Sequence, residues 1–153
     1  VIGIVGNNGV GKTTLLNIIC GNTKSTKGRI ICDVLCKKFD QNWFSNNDYT
    51  NLNHSAGEQQ RDFLYKMLCT KQGCLLLDEP TEGLDRETER QILRLILQHA
   101  ENKTLIMVTH RLSSIEQFDK ICVIDNGRLI EEGDYNSLIT KENGFFKRLI
   151  ERV

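Results

Sequence analysis

The sequence predicts an α/β fold, a mostly parallel central sheet covered by helices on both faces. Three observations carry this. Short, continuous apolar runs such as Val1–Val5, Cys74–Leu77 and Ile121–Ile124 are strand-sized and have no polar face, as strands buried on both sides require. Longer stretches between them place apolar residues at helical spacing. The two kinds of segment alternate along the chain, which favours parallel strands joined by helical crossovers.

Taken in order, Val1–Val5 is the first strand and runs into Gly6. A glycine-rich loop leads to a helix over Lys12–Cys20, stopped by Gly21. Asn22–Gly28 is a polar turn region, and Arg29–Val34 is predicted as the second strand. Phe39–Asn53 is rich in Asn and Asp and lacks helical periodicity, so it is predicted as loop. A helix over Gly57–Thr70 would bury Phe63, Leu64, Met67 and Leu68. Cys74–Leu77 is a strand that delivers Asp78 and Glu79 to its carboxyl end. Asp85 is placed to cap a helix reaching about Ala100, with Ile92, Leu93, Ile96 and Leu97 on the inner face. Thr104–Thr109 and Lys120–Ile124 are further strands, and Asn126-Gly127 is a hairpin turn into Arg128–Glu132. The tail, Tyr135–Leu138 and Gly144–Val153, is predicted to be helical and to pack on the sheet edge.

The 153 residues suffice for one domain with a real core, and 1–153 is read as a single domain. Twenty basic residues balance twenty acidic ones, so no global field draws the chain to nucleic acid or to an anionic membrane. No apolar run approaches the roughly 18–20 residues needed to span a bilayer. The first residue is Val and already sits inside a strand, which suggests a chain cut from something longer. None of the six cysteines forms a C-x-x-C pair. They read as small buried hydrophobes in a reducing compartment, with Cys32, Cys36 and His54 as the rival, metal-binding set.

The loop Gly6–Thr14 (GNNGVGKTT) matches the P-loop pattern Gly-x-x-x-x-Gly-Lys-Thr. Gly6, Gly9 and Gly11 allow backbone angles that turn successive N–H groups, those of Asn7, Asn8 and Val10 among them, toward one point. The helix beginning near Lys12 adds the positive end of its dipole. Lys12 can reach the β and γ phosphates of ATP, and the hydroxyl of Thr13, next to Thr14, can ligate Mg²⁺. Such a loop, between a buried strand and a helix, predicts a P-loop three-layer sandwich. Downstream, in LLLDEP, Asp78 can hold Mg²⁺ and Glu79 can polarise the water that attacks the γ phosphate. His110 ends the next strand, LIMVTH.

Together these residues resemble the ATP-binding cassettes of ABC transporters. Gly6–Thr13 is similar to the Walker A motif, Leu75–Glu79 to Walker B, Glu82-Gly83-Leu84-Asp85 to the D-loop, and His110 to the switch histidine. Ser55-Ala56-Gly57-Glu58, followed by Gln60-Arg61, is similar to the family signature LSGGQ and QR. His54 stands in place of its leucine, Ala56 in place of its first glycine and Glu58 in place of its glutamine. The resemblance implies that Ser55 and Gly57 grip the γ phosphate of a second, head-to-tail cassette. It implies ATP and Mg²⁺ as cofactors, Glu79 and His110 as the hydrolytic pair, and a transmembrane domain upstream or on another chain. It also implies a place on the cytoplasmic face of the inner membrane. Further words, DEPTEGLD, MVTHRL, EQF and DNG, resemble the exporter-type cassettes, and among them one half of the cysteine/glutathione exporter of cytochrome bd assembly.

Two departures qualify that expectation. Nothing before Val1 supplies the aromatic residue that the family stacks on adenine. Between Lys12 and Ser55 the chain is shorter than usual, so the helical subdomain that docks on the membrane partner is expected to be largely absent. Gln41, in FDQNWF, is the candidate for that subdomain's hinge glutamine and joins Thr13 and Asp78 as a possible metal ligand; Trp43 and Phe44 beside it read as a small core cluster. An exporter ATPase module is therefore the leading reading. A nucleotide-binding remnant without transport, and a soluble cassette, are the alternatives.

Overall fold

The computed structural model describes residues 1–39, 64, 65, 68, 69, 71, 73–100, 103–112 and 114–152. Its centre is a six-stranded sheet in the order β2-β3-β4-β1-β5-β6. The strands are β1 (Ile2–Val5), β2 (Cys36–Phe39), β3 (Cys74–Asp78), β4 (Thr104–Val108), β5 (Lys120–Asp125) and β6 (Arg128–Gly133). All pairings are parallel except that of β5 with β6. The fold is the mostly parallel α/β class that the sequence predicts.

Alternation along the strands explains the layers. Val5, Leu75, Leu77, Leu105, Met107 and Val123 share one cluster with Ile92, Leu93 and Ile96, which belong to helix α2 (Arg86–His99). Ile4, Cys74, Leu76 and Val108 share another cluster with Leu16, a buried apolar residue of helix α1 (Lys12–Ile19). Helices therefore cover both faces. Asp85 caps α2 as predicted, accepting from the Glu87 and Thr88 N–H groups at 3.0 Å each. The hairpin turn is also as predicted, since Asn126 and Gly127 have φ of 46° and 71°, the left-handed pair that a tight turn between twisted strands demands.

The second strand is not where the sequence places it. Arg29–Val34 has no regular structure, and the strand is Cys36–Phe39. A β-prone stretch becomes a strand only where it meets a free edge. Residues 36–39 meet that of β3, in the register Cys36↔Cys74 to Phe39↔Leu77. Phe39, read as the start of a loop, is 0% exposed, whereas Ile31 is 75% and Leu35 79% exposed. The remainder of the predicted loop, Gln41, Trp43 and Phe44 included, lies outside the described residues. So does most of the helix predicted over residues 57–70, but residues 64, 65 and 68 are helical, with Leu64 and Leu68 buried. The cysteine reading also needs correction. Cys74 is buried, Cys20, Cys36 and Cys122 are half-buried, and Cys32 and Cys69 are exposed; all six are free.

The tail packs at the β6 edge as two helices, α3 (Tyr135–Ile139) and α4 (Phe145–Ile150). Phe146 is fully buried in the larger cluster. Glu131 of β6 fixes its position by accepting from the Phe145 and Phe146 N–H groups, both at 2.9 Å. Burial opposes ionisation of Glu131, but these two donors and Lys141 outweigh it and hold the carboxyl below its ordinary value. A depressed carboxyl pKa stabilises the fold above the unfolded-state value, and that contribution is lost as pH falls through the folded one. Glu131→Gln is expected to cost about 1–2 kcal/mol at neutral pH and to flatten the acid limb of a thermal-melting profile. An unchanged limb would show that the cap does not carry the acid sensitivity.

Candidate functional site

The parallel strands all end on one side of the sheet, where crossovers leave a crevice for ligands. The glycine loop starts there, at the end of β1. Gly6 has φ of 150°, and a Cβ on it would collide with the Ile124 carbonyl oxygen of β5. Only glycine lets the loop leave the sheet at this point. Gly11, at φ 99°, is the N-cap residue of α1, so the first turn of that helix opens onto the loop. Lys12 folds back across it: its Nζ donates to the carbonyl oxygens of Gly6 at 2.9 Å and Asn7 at 2.8 Å. The residue is 5% exposed. Burial lowers the pKa of the ammonium, and the nearby Glu79 and Asp78 carboxylates oppose that effect.

The end of β3 brings the acids to the same place. The Thr13 hydroxyl donates to Asp78 Oδ1 at 3.2 Å. Glu79 follows in a left-handed conformation, φ 49°, which costs a non-glycine residue on the order of 1–3 kcal/mol. Its N–H donates to the Val108 carbonyl of β4 at 3.0 Å, and its own carbonyl accepts from the Glu82 N–H at 3.1 Å. These bonds hold the bend and swing the Glu79 side chain toward the cleft. His110 Nδ1 lies 3.2 Å from Glu79 Oε2. Burial raises the pKa of Glu79, His110 counteracts that, and a hydrogen bond with Glu82 reinforces it. The cleft between loop and acids encloses about 380 Å³, with Asn8, Gly11, Thr14, Glu79, Glu82 and His110 on its walls. That volume is of the size small-molecule sites use.

The structure thus brings the glycine loop, Thr13, Asp78, Glu79 and His110 together. Asp85 is instead engaged at the α2 cap, where a hydrogen bond from the Thr88 hydroxyl, then those from backbone N–H groups, lower its pKa. Gln41 and the signature residues Ser55, Ala56, Gly57 and Glu58 lie outside the described residues. Three residues of interest were missed in the sequence. Lys38 Nζ is 3.1 Å from Asp78 Oδ2, with the two side chains only 6% and 8% exposed, and it also donates to Asn17 Oδ1 at 2.8 Å. Arg111 donates to Glu89 and to the Leu84 carbonyl, both at 2.8 Å, and so ties the segment carrying His110 to the start of α2.

The sequence profile described as ABC transporter matches residues 1–47, which hold β1, the glycine loop, α1 and β2. A Haemophilus influenzae protein named glutathione/L-cysteine transport system ATP-binding/permease protein CydC is 86% identical over 99 residues. The chain is similar to the ATP-binding parts of ABC transporters. The alignment with the Haemophilus influenzae protein covers 65% of this chain and 17% of the relative. The protein of the same name from Escherichia coli K12 is 42% identical over 93 residues, covering 61% of this chain and 16% of the relative. The chain therefore spans about a sixth of the length of these relatives. A solved chain described as a bacterial Atm1-family ABC exporter with ATP bound superposes with a TM-score of 0.80. It is 24% identical, and the match covers 99% of this chain and 36% of that one. The likeness shows the fold. Among the described residues no helix is long and apolar enough to cross a membrane.

Proposed function

We propose that this domain binds Mg-ATP in the cleft and hydrolyses it as the ATP-consuming part of a membrane exporter of small thiols such as cysteine or glutathione. The observation that carries the chemistry is the convergence of the glycine loop, the Thr13–Asp78 pair and the Glu79–His110 pair on one cleft. The donor set fits Mg²⁺, a hard cation that takes oxygen ligands and keeps several waters: Thr13 and Asp78 would hold it beside the phosphates, where it supplies charge neutralisation. Lys12 and the loop N–H groups orient the phosphates. Glu79 takes a proton from the attacking water, and His110 stabilises charge at the γ phosphate. The names of the relatives at 86% and 42% identity support the thiol class.

On this reading the domain works on the cytoplasmic face of a membrane, with a transmembrane domain on the same or another polypeptide. Ser55 and Gly57 complete the site of a second cassette. The test is steady-state hydrolysis over a range of protein concentrations, with Mg²⁺ and with chelator. Metal-dependent hydrolysis that rises more than linearly with concentration is expected. A metal-independent or strictly linear signal would remove, respectively, the Mg²⁺ role or the head-to-tail pair.

One observation favours a second reading, a nucleotide-binding domain that turns over little. The Lys38 ammonium already occupies one oxygen of Asp78. Two unit charges this close attract by about 5 kcal/mol at an effective dielectric constant of about 20, so a metal must compete with it. Lys38→Met is expected to lower the Mg²⁺ concentration giving half-maximal hydrolysis by about tenfold, and to lower the melting temperature when Mg²⁺ is withheld. If the Mg²⁺ dependence does not move, the ion pair is structural and the remnant reading loses its support.

A further inference from the structure

Cys32 and Cys36 stand apart from the nucleotide cleft and have no part in the proposed chemistry. Their sulfurs are 3.4 Å apart, van der Waals contact and roughly 1.4 Å more than a disulfide bond. Both thiols point at one acceptor, the Val34 carbonyl, at 3.1 Å from Cys32 and 3.9 Å from Cys36. Cys36 is fixed as the first residue of β2, in register with Cys74. Cys32 is exposed and lies in a stretch without regular structure, so it can approach Cys36 without breaking a sheet ladder. The third member of the rival metal-binding set, His54, lies outside the described residues, among which no cluster of three or more metal-ligating side chains exists.

We propose that Cys32 and Cys36 form a redox modification site, closing to a reversible disulfide by exchange with a low-molecular-weight disulfide such as oxidised glutathione. Exposed Cys32 is the residue that meets the oxidant. It loses its proton to solvent, and the thiolate attacks one sulfur of the small disulfide, whose S–S bond breaks to release one glutathione thiolate. Cys36 then gives up its proton and attacks the Cys32 sulfur, which expels the second glutathione thiolate. Two electrons pass from the cysteine pair to the small disulfide, and the two released thiolates take up the two protons. The division of labour follows from the surroundings. Burial first, then hydrogen bonds with Cys32 and Cys74, push the Cys36 thiol up to about 12, so Cys36 stays protonated until a mixed disulfide is held against it. The proposal does not depend on the transport reading.

Cleavage after Arg29 and Lys37 releases residues 30–37, a peptide whose cysteines are Cys32 and Cys36 alone. The full chain, folded, is treated with oxidised glutathione, quenched by acid and mapped by mass spectrometry. The expected product is this peptide lighter by two hydrogens, restored by dithiothreitol. Cys36→Ser should stop at the glutathione adduct on Cys32, and Cys32→Ser should leave Cys36 reduced. The ratio of closed ring to adduct should be several-fold higher in the folded chain than in urea. An adduct on Cys32 that persists in the unaltered chain, Cys36 joined to Cys74, or equal ratios folded and unfolded would each overturn the proposal.

Discussion

Replacing Glu79 with Gln is expected to lower ATP turnover by about two to four orders of magnitude, the range that loss of a positioned general base produces, while ATP affinity stays near the parent value. The substitution keeps the shape of the side chain and leaves the left-handed backbone at φ 49° in place. What it removes is a carboxylate, 3.2 Å from His110 Nδ1, able to take a proton from water. Burial raises the Glu79 pKa, so the base is ionised only above its raised value, and parent activity should climb with pH through that region. The Gln variant should lack that limb. Linkage sets the sign for stability: a carboxyl with a raised folded pKa favours the fold while protonated, and this is lost as pH rises through the folded value. The uncharged amide is therefore expected to melt slightly higher than the parent at neutral pH. Parent-rate hydrolysis by the variant would mean that another group activates the water.

Lys12→Ala should weaken Mg-ATP binding by about two to four orders of magnitude. The ammonium would offer phosphate oxygens two charge-assisted hydrogen bonds of about 1.5–3 kcal/mol each. Without it the loop keeps its backbone N–H groups but loses the charge that offsets the phosphates. The carbonyls of Gly6 and Asn7, which Lys12 now satisfies at 2.9 and 2.8 Å, belong to a half-buried and an exposed residue, so water can take the place of the ammonium. A thermal melt should therefore report an intact fold, and a nucleotide titration should report the loss. Equal affinity in variant and parent would withdraw the phosphate-binding role from the loop.

How much of this was legible in the sequence depended on how local the cause was. The glycine loop could be read because Gly6, Gly11, Lys12 and Thr13 act within one turn of chain. β3 and its acids could be read because an apolar run must end where polar residues begin. Asp85 and Asn126-Gly127 announced a cap and a turn by chemistry that reaches only a few residues. Lys38 was illegible: its partner Asp78 lies far along the chain, and only the parallel register of β2 on β3 brings the two together. Arg111 and Glu89 meet for the same kind of reason. The misplaced strand shows the converse. Residues 29–34 look like a strand by composition, but a strand also needs a neighbour, and composition does not say where the free edge of β3 will be met.

The position of β1 carries a consequence for how this domain comes into being. The strand that bears the phosphate loop is made before both its partners, around Ile106 in β4 and Lys120 in β5, which lie far downstream of it. Pairing across such a separation is slow, because loop-closure entropy must be overcome before contacts reward it. A growing polypeptide that already holds the loop sequence cannot present it until β4 and β5 have been made as well. In the interval the apolar run at residues 1–5 waits unpaired, open to wrong partners. Nucleotide cannot shepherd the early steps, since it recognises only the finished sheet; by mass action it draws the last equilibrium toward completion. Its affinity should therefore arise in a single late step during refolding, together with the closing of β4 and β5 around the first strand.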